Sequence, residues 1–423
     1  MREMKDQSRS RSGAGRRGPA RNRTTGFTIV EMLIAAAVTM VVTAATFTVM
    51  NPAHGIFAAQ PVAIDMLQGA RVGVATLAED LLMAGGGPYA GSLRGPLGDY
   101  FASILPYRIG NLSPDPPGQF WADRITLVYV PATAAQTTLV DPVASASVDV
   151  RVAGAPGCPL TPSGPLDPLD PLDPLDNASC GFKAGMPALI MDAAGSWDIF
   201  TVTGVQGAVL HLEHRGGDLN KAYGAGAAIL QIVTYTYWLK IDTAADTCQL
   251  MRYDGDQAEV PVADNVVGLS FEYYGDPTPP QLRPGSTPPT TYGPRPPALG
   301  VDNPSDSWGA GENCVFTASA AAQFPRLDWL GSGGDDGLVK LTPEQLTDGP
   351  WCPDSVSPGR FDADLLRIRR VRVTLRVQAS SPAFRGPSGS LFVHPGTSTG
   401  GERYLPDQEI KFDVAPRNMR FGR

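Results

Sequence analysis

Histidine is nearly absent from this chain, at four residues in 423, and cysteine is little commoner, at five. No two cysteines stand as C-x-x-C and no H-E-x-x-H occurs, so the usual sequence signs of a zinc centre are missing. His211 and His214 fall three apart in a predicted strand, where successive side chains alternate sides, so the pair faces opposite ways. No glycine-rich phosphate loop follows a predicted strand. We therefore expect no metal, no cofactor and no catalytic residues. Charge is also sparse, at 18% of residues, and acids (42) outnumber bases (34). Glycine (47) and proline (40) are plentiful but show no period, which excludes a collagen-like chain.

Long apolar runs are scarce too, and the single one of membrane length covers residues 27–50. It holds one charge, Glu31, and is long enough to span a bilayer as a helix. Its threonines (Thr28, Thr39, Thr43, Thr46, Thr48) are tolerable there because a helical threonine can bond its own backbone. Ahead of it, residues 1–26 carry eight Lys/Arg against Glu3 and Asp6, a net of +6. Positive flanks stay in the cytoplasm, so the chain is expected to run N-inside with its bulk exported. The chain's net charge of −8 leaves −14 beyond Gly26, which argues against a nucleic-acid-binding surface.

A secretory signal places its cleavage site after the apolar core. Here the small residue, Gly26, stands before it, followed by Phe27 and, four positions on, Glu31, within Gly26-Phe27-Thr28-Ile29-Val30-Glu31-Met32-Leu33. This resembles the type IV prepilin leader. The resemblance implies cleavage by prepilin peptidase between Gly26 and Phe27, N-methylation of Phe27, and a charge pair in the assembled filament between Glu31 and the Phe27 ammonium, its own or a neighbour's. Opposite charges in low dielectric attract strongly, and each offsets the other's desolvation. The alternative is a plain signal anchor with an incidental glutamate.

Residues 51–87 are read as a kinked second half of the helix, with a kink or unwound section over 51–61 at Pro52, Gly55 and Pro61. Leu67, Ala70, Val74, Leu77 and Leu81 then recur at helical steps, with Asp65, Gln68, Arg71, Glu79 and Asp80 between them. Gly85-Gly86-Gly87-Pro88 ends the pattern. Residues 88–423 read as an exported, β-rich head. Strand signals fall at 125–130, 148–152, 188–191, 249–253, 266–274, 371–377 and 410–414, with a hairpin over 198–214 and a long strand or strand pair over 227–241. The fold class is α+β and pilin-like: a long N-terminal helix, membrane-spanning in its first half, packed on a mainly antiparallel sheet.

Two proline-rich insertions interrupt the head, at 159–179 and 275–310. The first contains four copies of Pro-Leu-Asp over 165–176, which cannot form helix or paired strand; it reads as an adhesive contact or as a linker. Residues 309–358 read as a stapled loop, a partner-binding lobe or a locally packed excursion. Sequence neighbours suggest the bridges Cys158–Cys180 and Cys314–Cys352 with Cys248 left over, although five cysteines leave fifteen two-bridge arrangements open. Asp335-Asp336-Gly337 is a candidate calcium turn or a plain acidic one. Arg367, Arg369, Arg370, Arg372 and Arg376 look like a basic patch; on a strand Arg370, Arg372 and Arg376 share one face, which reads as an interaction edge or as a solvated or salt-bridged sheet face.

The segments around residues 71–85, 248–255, 262–274 and 368–377 are also similar to PilW-type minor pilins. That resemblance implies a minor subunit taking part in initiation and assembly of a type IV pilus, at or near its tip, without enzymatic activity. Its partners would be prepilin peptidase, major and minor pilins and the inner-membrane assembly platform. It would sit in the inner membrane as a single-pass protein with a periplasmic head and later at the cell surface, where minor pilins are thought to modulate adhesion and twitching motility. The alternatives are a J-type minor pseudopilin of type II secretion and, from another class, a pilin-anchored exported binding module or enzyme.

Overall fold

The computed structural model describes Gly26 to Met419, apart from residues 88–95, 117, 132–134, 148, 155–179, 193–195, 215–218, 220, 243–246, 283–291, 303–307, 354–360 and 400–403. The insertion expected at 159–179, including the Pro-Leu-Asp repeat, lies outside the described residues. The chain divides into two compact units, residues 1–58 and 59–423.

In the first unit, helix α1 (Ile29–Met83) begins. Its stretch Ile29–Thr48 is wholly unburied, and long and apolar enough to cross a membrane. No unwound section appears at 51–61, since the helix continues through Pro52 and Pro61 to Met83. An internal proline removes one donor and crowds one carbonyl, a cost of about 3 kcal/mol that neighbouring turns can absorb without the helix ending.

In the second unit, α1 buries Met66, Ala70, Leu77 and Leu81. Val74 packs against the same core, so the stripe follows the sequence pattern except at its start, where Met66 is buried and Leu67 exposed. Gly73 belongs to this stripe. A Cβ there would lie 3.3 Å from Leu375 and 3.5 Å from Ala263 and Leu250, so glycine permits close helix–sheet approach. The helix stops at Gly85, whose φ of 77° suits glycine. Its amide then bonds Val128 O at 3.0 Å, and Val130 N bonds Gly86 O at 2.8 Å, tying the helix end to a strand.

The strands are β1 (Ile104–Leu105), β2 (Ile125–Tyr129), β3 (Gln136–Thr138), β4 (Asp149–Arg151), β5 (Pro187–Met191), β6 (Trp197–Gln206), β7 (Val209–His214), β8 (Ala228–Gln231), β9 (Val233–Asp242), β10 (Thr247–Tyr253), β11 (Glu259–Asp264), β12 (Val266–Gly275), β13 (Phe316–Ser319), β14 (Ala322–Pro325), β15 (Val339–Leu341), β16 (Trp351–Cys352), β17 (Phe361–Asp362), β18 (Ile368–Val377) and β19 (Gln408–Val414). All their pairings are antiparallel. The architecture is α+β, a helix with a β-rich head.

Two sheets share the main core with the helix: five strands in the order β1-β2-β9-β10-β11 and four in the order β15-β12-β18-β19. The central pair of the second, β12 and β18, alternates buried with half-buried residues, as a one-sided sheet requires.

Residues 130–232 are inserted between β2 and β9, which pair directly from Ile125↔Tyr237 to Tyr129↔Val233. This insert is a closed barrel. Its six strands run β3-β8-β5-β6-β7-β4, and the bridge Leu139↔Val152 joins the two ends of the row. Val140 N to Arg151 O (3.0 Å) and Ala153 N to Thr138 O (2.9 Å) complete that seam. The inside is a separate core of Val150, Val152, Ala188, Ile190, Phe200, Val202 and Ile229. The alternate residues Leu189, Met191, Ile199, Leu230 and Trp197 point outward into the main core, where Phe101 stacks on Trp197 at 4.3 Å. Period-two alternation thus explains why β5 is apolar on both faces.

The connection after β12 is not simply an exposed loop. Tyr292 is buried, its hydroxyl donates to Thr278 O at 2.7 Å, and Arg369 stacks on its ring at 4.5 Å. The excursion beyond it forms the β13–β14 hairpin and supplies β15 to the edge of the four-stranded sheet. Cys314 and Cys352 are joined by a disulfide. Cys180 is disulfide-bonded, and Cys158 lies outside the described residues. Cys248 is a buried thiol outside any disulfide, its sulfur 3.9 Å from His394 Nδ1.

Candidate assembly site at the helix start

Gly26, Phe27 and Thr28 lie outside helical structure, and α1 starts at Ile29. Thr28 and Glu31 set that start through a capping box. The Glu31 carboxylate accepts from the Thr28 amide (2.9 Å) and hydroxyl (3.0 Å), and the Thr28 hydroxyl oxygen accepts from the Glu31 amide (3.2 Å). The first helical bond follows, from Met32 N to Thr28 O at 3.1 Å. Thr39, Thr43, Thr46 and Thr48 each donate to a carbonyl three or four residues back, at 2.7 Å, which removes the cost of a hydroxyl in an apolar helix.

The Gly26–Phe27 bond is open. A Cβ at Gly26 would meet nothing within 4 Å, so the fold itself does not require glycine there. Phe27 is 85% exposed. Glu31 bonds Thr28 rather than Phe27, whose nitrogen is still an amide in the uncleaved chain. The Thr-x-x-Glu spacing makes this cap legible in sequence, yet the prepilin resemblance draws attention to Glu31 alone.

A second polar cluster sits where α1 meets the five-stranded sheet. Asp80 is buried. It accepts from the Tyr129 hydroxyl at 2.9 Å and from the Tyr237 hydroxyl, with the Arg252 guanidinium 3.6 Å away. Burial, and then the Asp80 charge, holds both phenols protonated by pushing them well above the usual tyrosine range. Asp80 falls three residues after Leu77, on the buried stripe, although the sequence reading places it between the apolar positions.

The arginine run divides. Arg370, Arg372 and Arg376 share the outer face of β18. There they pair with Asp336, with Asp413 (2.8 Å from Arg372) and with Asp407 (3.0 Å from Arg376), making a salt-bridged sheet face. Arg367 and Arg369 are buried instead. Arg367 lies 2.6 Å from Asp364 without hydrogen-bond alignment and donates to Asp328 O at 2.5 Å. Asp336 is engaged by Arg370 from β18 and, within its own turn, accepts from Leu338 N at 3.1 Å.

Among the described residues, Asp348, Asp362 and Asp364 could hold a metal, their oxygens lying within 4.8 Å of one another. Both buried members already have structural duties. Asp362 accepts from Asp364 N (2.8 Å) and Gly349 N (2.6 Å), and Asp364 faces Arg367. Burial pushes Asp362 up to about 6 and Asp364 to about 7. Gly396-Thr397-Ser398-Thr399-Gly400 has the spacing of a nucleophile elbow. Its described residues lie in irregular chain, without the strand-to-helix turn that exposes such a serine.

Residues 21–47 match the family described as the Prokaryotic N-terminal methylation motif. No curated protein matches the chain. The motif supports a type IV pilin-like or pseudopilin-like protein, and the apolar helix behind it fits a single-pass, membrane-anchored pilin. It also implies processing by prepilin peptidase and assembly with other pilins.

Proposed function

We propose that this pilin-like chain is a minor pilin of PilW type, a structural subunit that primes filament assembly and acts at the tip, and not an enzyme. One observation carries the reading: a basic segment ends at an exposed Gly26–Phe27 bond inside a matched N-terminal methylation motif, directly ahead of an apolar helix long enough to cross a membrane. Prepilin peptidase cuts that bond and methylates the new Phe27 amine. Glu31 then exchanges its Thr28 bonds for the ammonium of Phe27, its own or a neighbour's, in the apolar bundle. A subunit docked out of register leaves both charges unpaired in low dielectric, so the pair selects the axial position. The subunit waits in the inner membrane with its head in the periplasm and reaches the surface through the assembly platform.

Mass spectrometry of the mature protein tests this directly. The first residue should be an N-methylated Phe27, and Gly26→Val should leave the leader in place. A mature start beyond Met50 would refute the reading. Deleting the gene should abolish surface filaments, twitching and DNA uptake while exoprotein secretion continues. The reverse pattern would assign the chain to type II secretion.

A further inference from the structure

Sheet edges expose unpaired main-chain groups, and natural proteins blunt them with short strands, prolines, bulges or closure. Several described edges of this head are treated so. β1 has two residues and β15 three. β11 carries Pro261 and a register break against β10. The barrel has no edge, being closed at Leu139↔Val152.

β19 carries none of these devices. It has seven residues, no proline and an unbroken register against β18 from Val371↔Val414 to Val377↔Gln408. Among the described residues, no main-chain bond reaches its outer side. Ile410 and Phe412 are half-buried against the main core, leaving an apolar shelf that the next strand of the sheet would cover. Lys411, its one protective cation, is drawn along the strand to Glu409 at 2.9 Å.

A row of donors and acceptors at strand spacing is complementary to one kind of occupant, an extended polypeptide backbone. A second copy of β19 fits poorly. Two-fold antiparallel pairing over all seven residues centres on Lys411, setting lysine against lysine and Glu409 against Asp413. Parallel in-register pairing also sets like charge on like. Centring on Phe412 relieves this but leaves only the ladder 410–414. We propose that β19 is a docking edge for one extended strand of a different polypeptide. That strand has apolar residues beside Ile410 and Phe412 and an acid opposite Lys411.

The test uses the full-length protein in the cells that make it, with p-benzoylphenylalanine at Gln408 or Lys411 and, as control, at Val260 on the proline-blunted edge. After photolysis the cross-linked peptides are sequenced. The expected result is an adduct at β19, absent at Val260, to one foreign peptide of alternating apolar and polar residues. Ile410→Pro and Lys411→Pro form a second arm. Successive residues aim their amides alternately at β18 and outward, so whichever variant keeps wild-type thermal unfolding blocks only the outer side. Its adduct, probed from Gln408, should fall to background. The proposal fails if the β19 adducts form only with a second copy or another part of the same chain, do not exceed those at Val260, or survive in the folded proline variant. None of these readouts depends on leader cleavage, so the docking edge and the pilin reading can fail separately.

Discussion

Asp80 satisfies two buried phenols and faces a guanidinium from three different strands, and that concentration makes it the most consequential polar residue of the head. Asp80→Ala leaves both hydroxyls and Arg252 without their acceptor. Breaking such a buried set should cost about 3–5 kcal/mol, measured by denaturant unfolding of the full chain in detergent. Asp362 and Asp364 give a residue-scale pH effect. Burial raises both above the unfolded 3.8, to about 6 and about 7, so the folded chain keeps protons that the unfolded chain has released. Their contribution is fully present below the unfolded value and is lost as pH climbs through the folded ones. Asp362→Asn should therefore flatten the fall in unfolding midpoint between about pH 4 and pH 7. Parallel slopes in variant and wild type would show that Asp362 does not titrate there.

At the scale of single elements, the capping box separates two duties of the helix start. Glu31→Ala removes both the cap and the proposed charge pair, whereas Thr28→Ala removes the cap alone, at about 0.5–2 kcal/mol. Processing should survive both changes on an immunoblot. Incorporation into filaments should collapse for Glu31→Ala and persist for Thr28→Ala; equal loss would mean that capping, not pairing, is what assembly needs. Elements with strong local patterns were legible in the sequence: β2, the β6–β7 hairpin around Gln206-Gly207, β12 and β18 lie within a few residues of their signals. Short strands such as β1, β3 and β16 carry no such pattern, because tertiary packing decides them. Arg367 and Arg369 were misplaced for the same reason: charge suggests solvent until the carbonyls and the ring that receive these side chains are known. At the helix start, the motif was readable through its resemblance to a prepilin leader, while the bonds occupying Glu31 needed coordinates.

At the scale of the whole molecule, two devices stabilise a head rich in irregular chain. The Cys314–Cys352 bridge spans a sequence separation of 38 and joins the excursion to the β16–β17 pair. On the loop-entropy model, Cys314→Ser should lower stability by about 4 kcal/mol, read as an earlier unfolding midpoint that matches reduced wild type. The barrel is the other device, and sequence reading missed it. Its strands are individually ordinary, and only the Leu139↔Val152 seam reveals that the row of six returns on itself. Two-sided burial on β5 was visible as an apolar run, but the existence of two cores was not.

The barrel's point of attachment has an evolutionary and practical consequence. Tyr129 and Val233 are direct partners across the β2–β9 ladder, so the polypeptide departs from and rejoins the parent sheet through a doorway the width of an ordinary reverse turn. Cargo grafted at such a doorway needs only neighbouring termini, not kinship with its host. Lineages could exchange this module wholesale, and an engineer could hang a reporter there, without rewriting the scaffold that carries it.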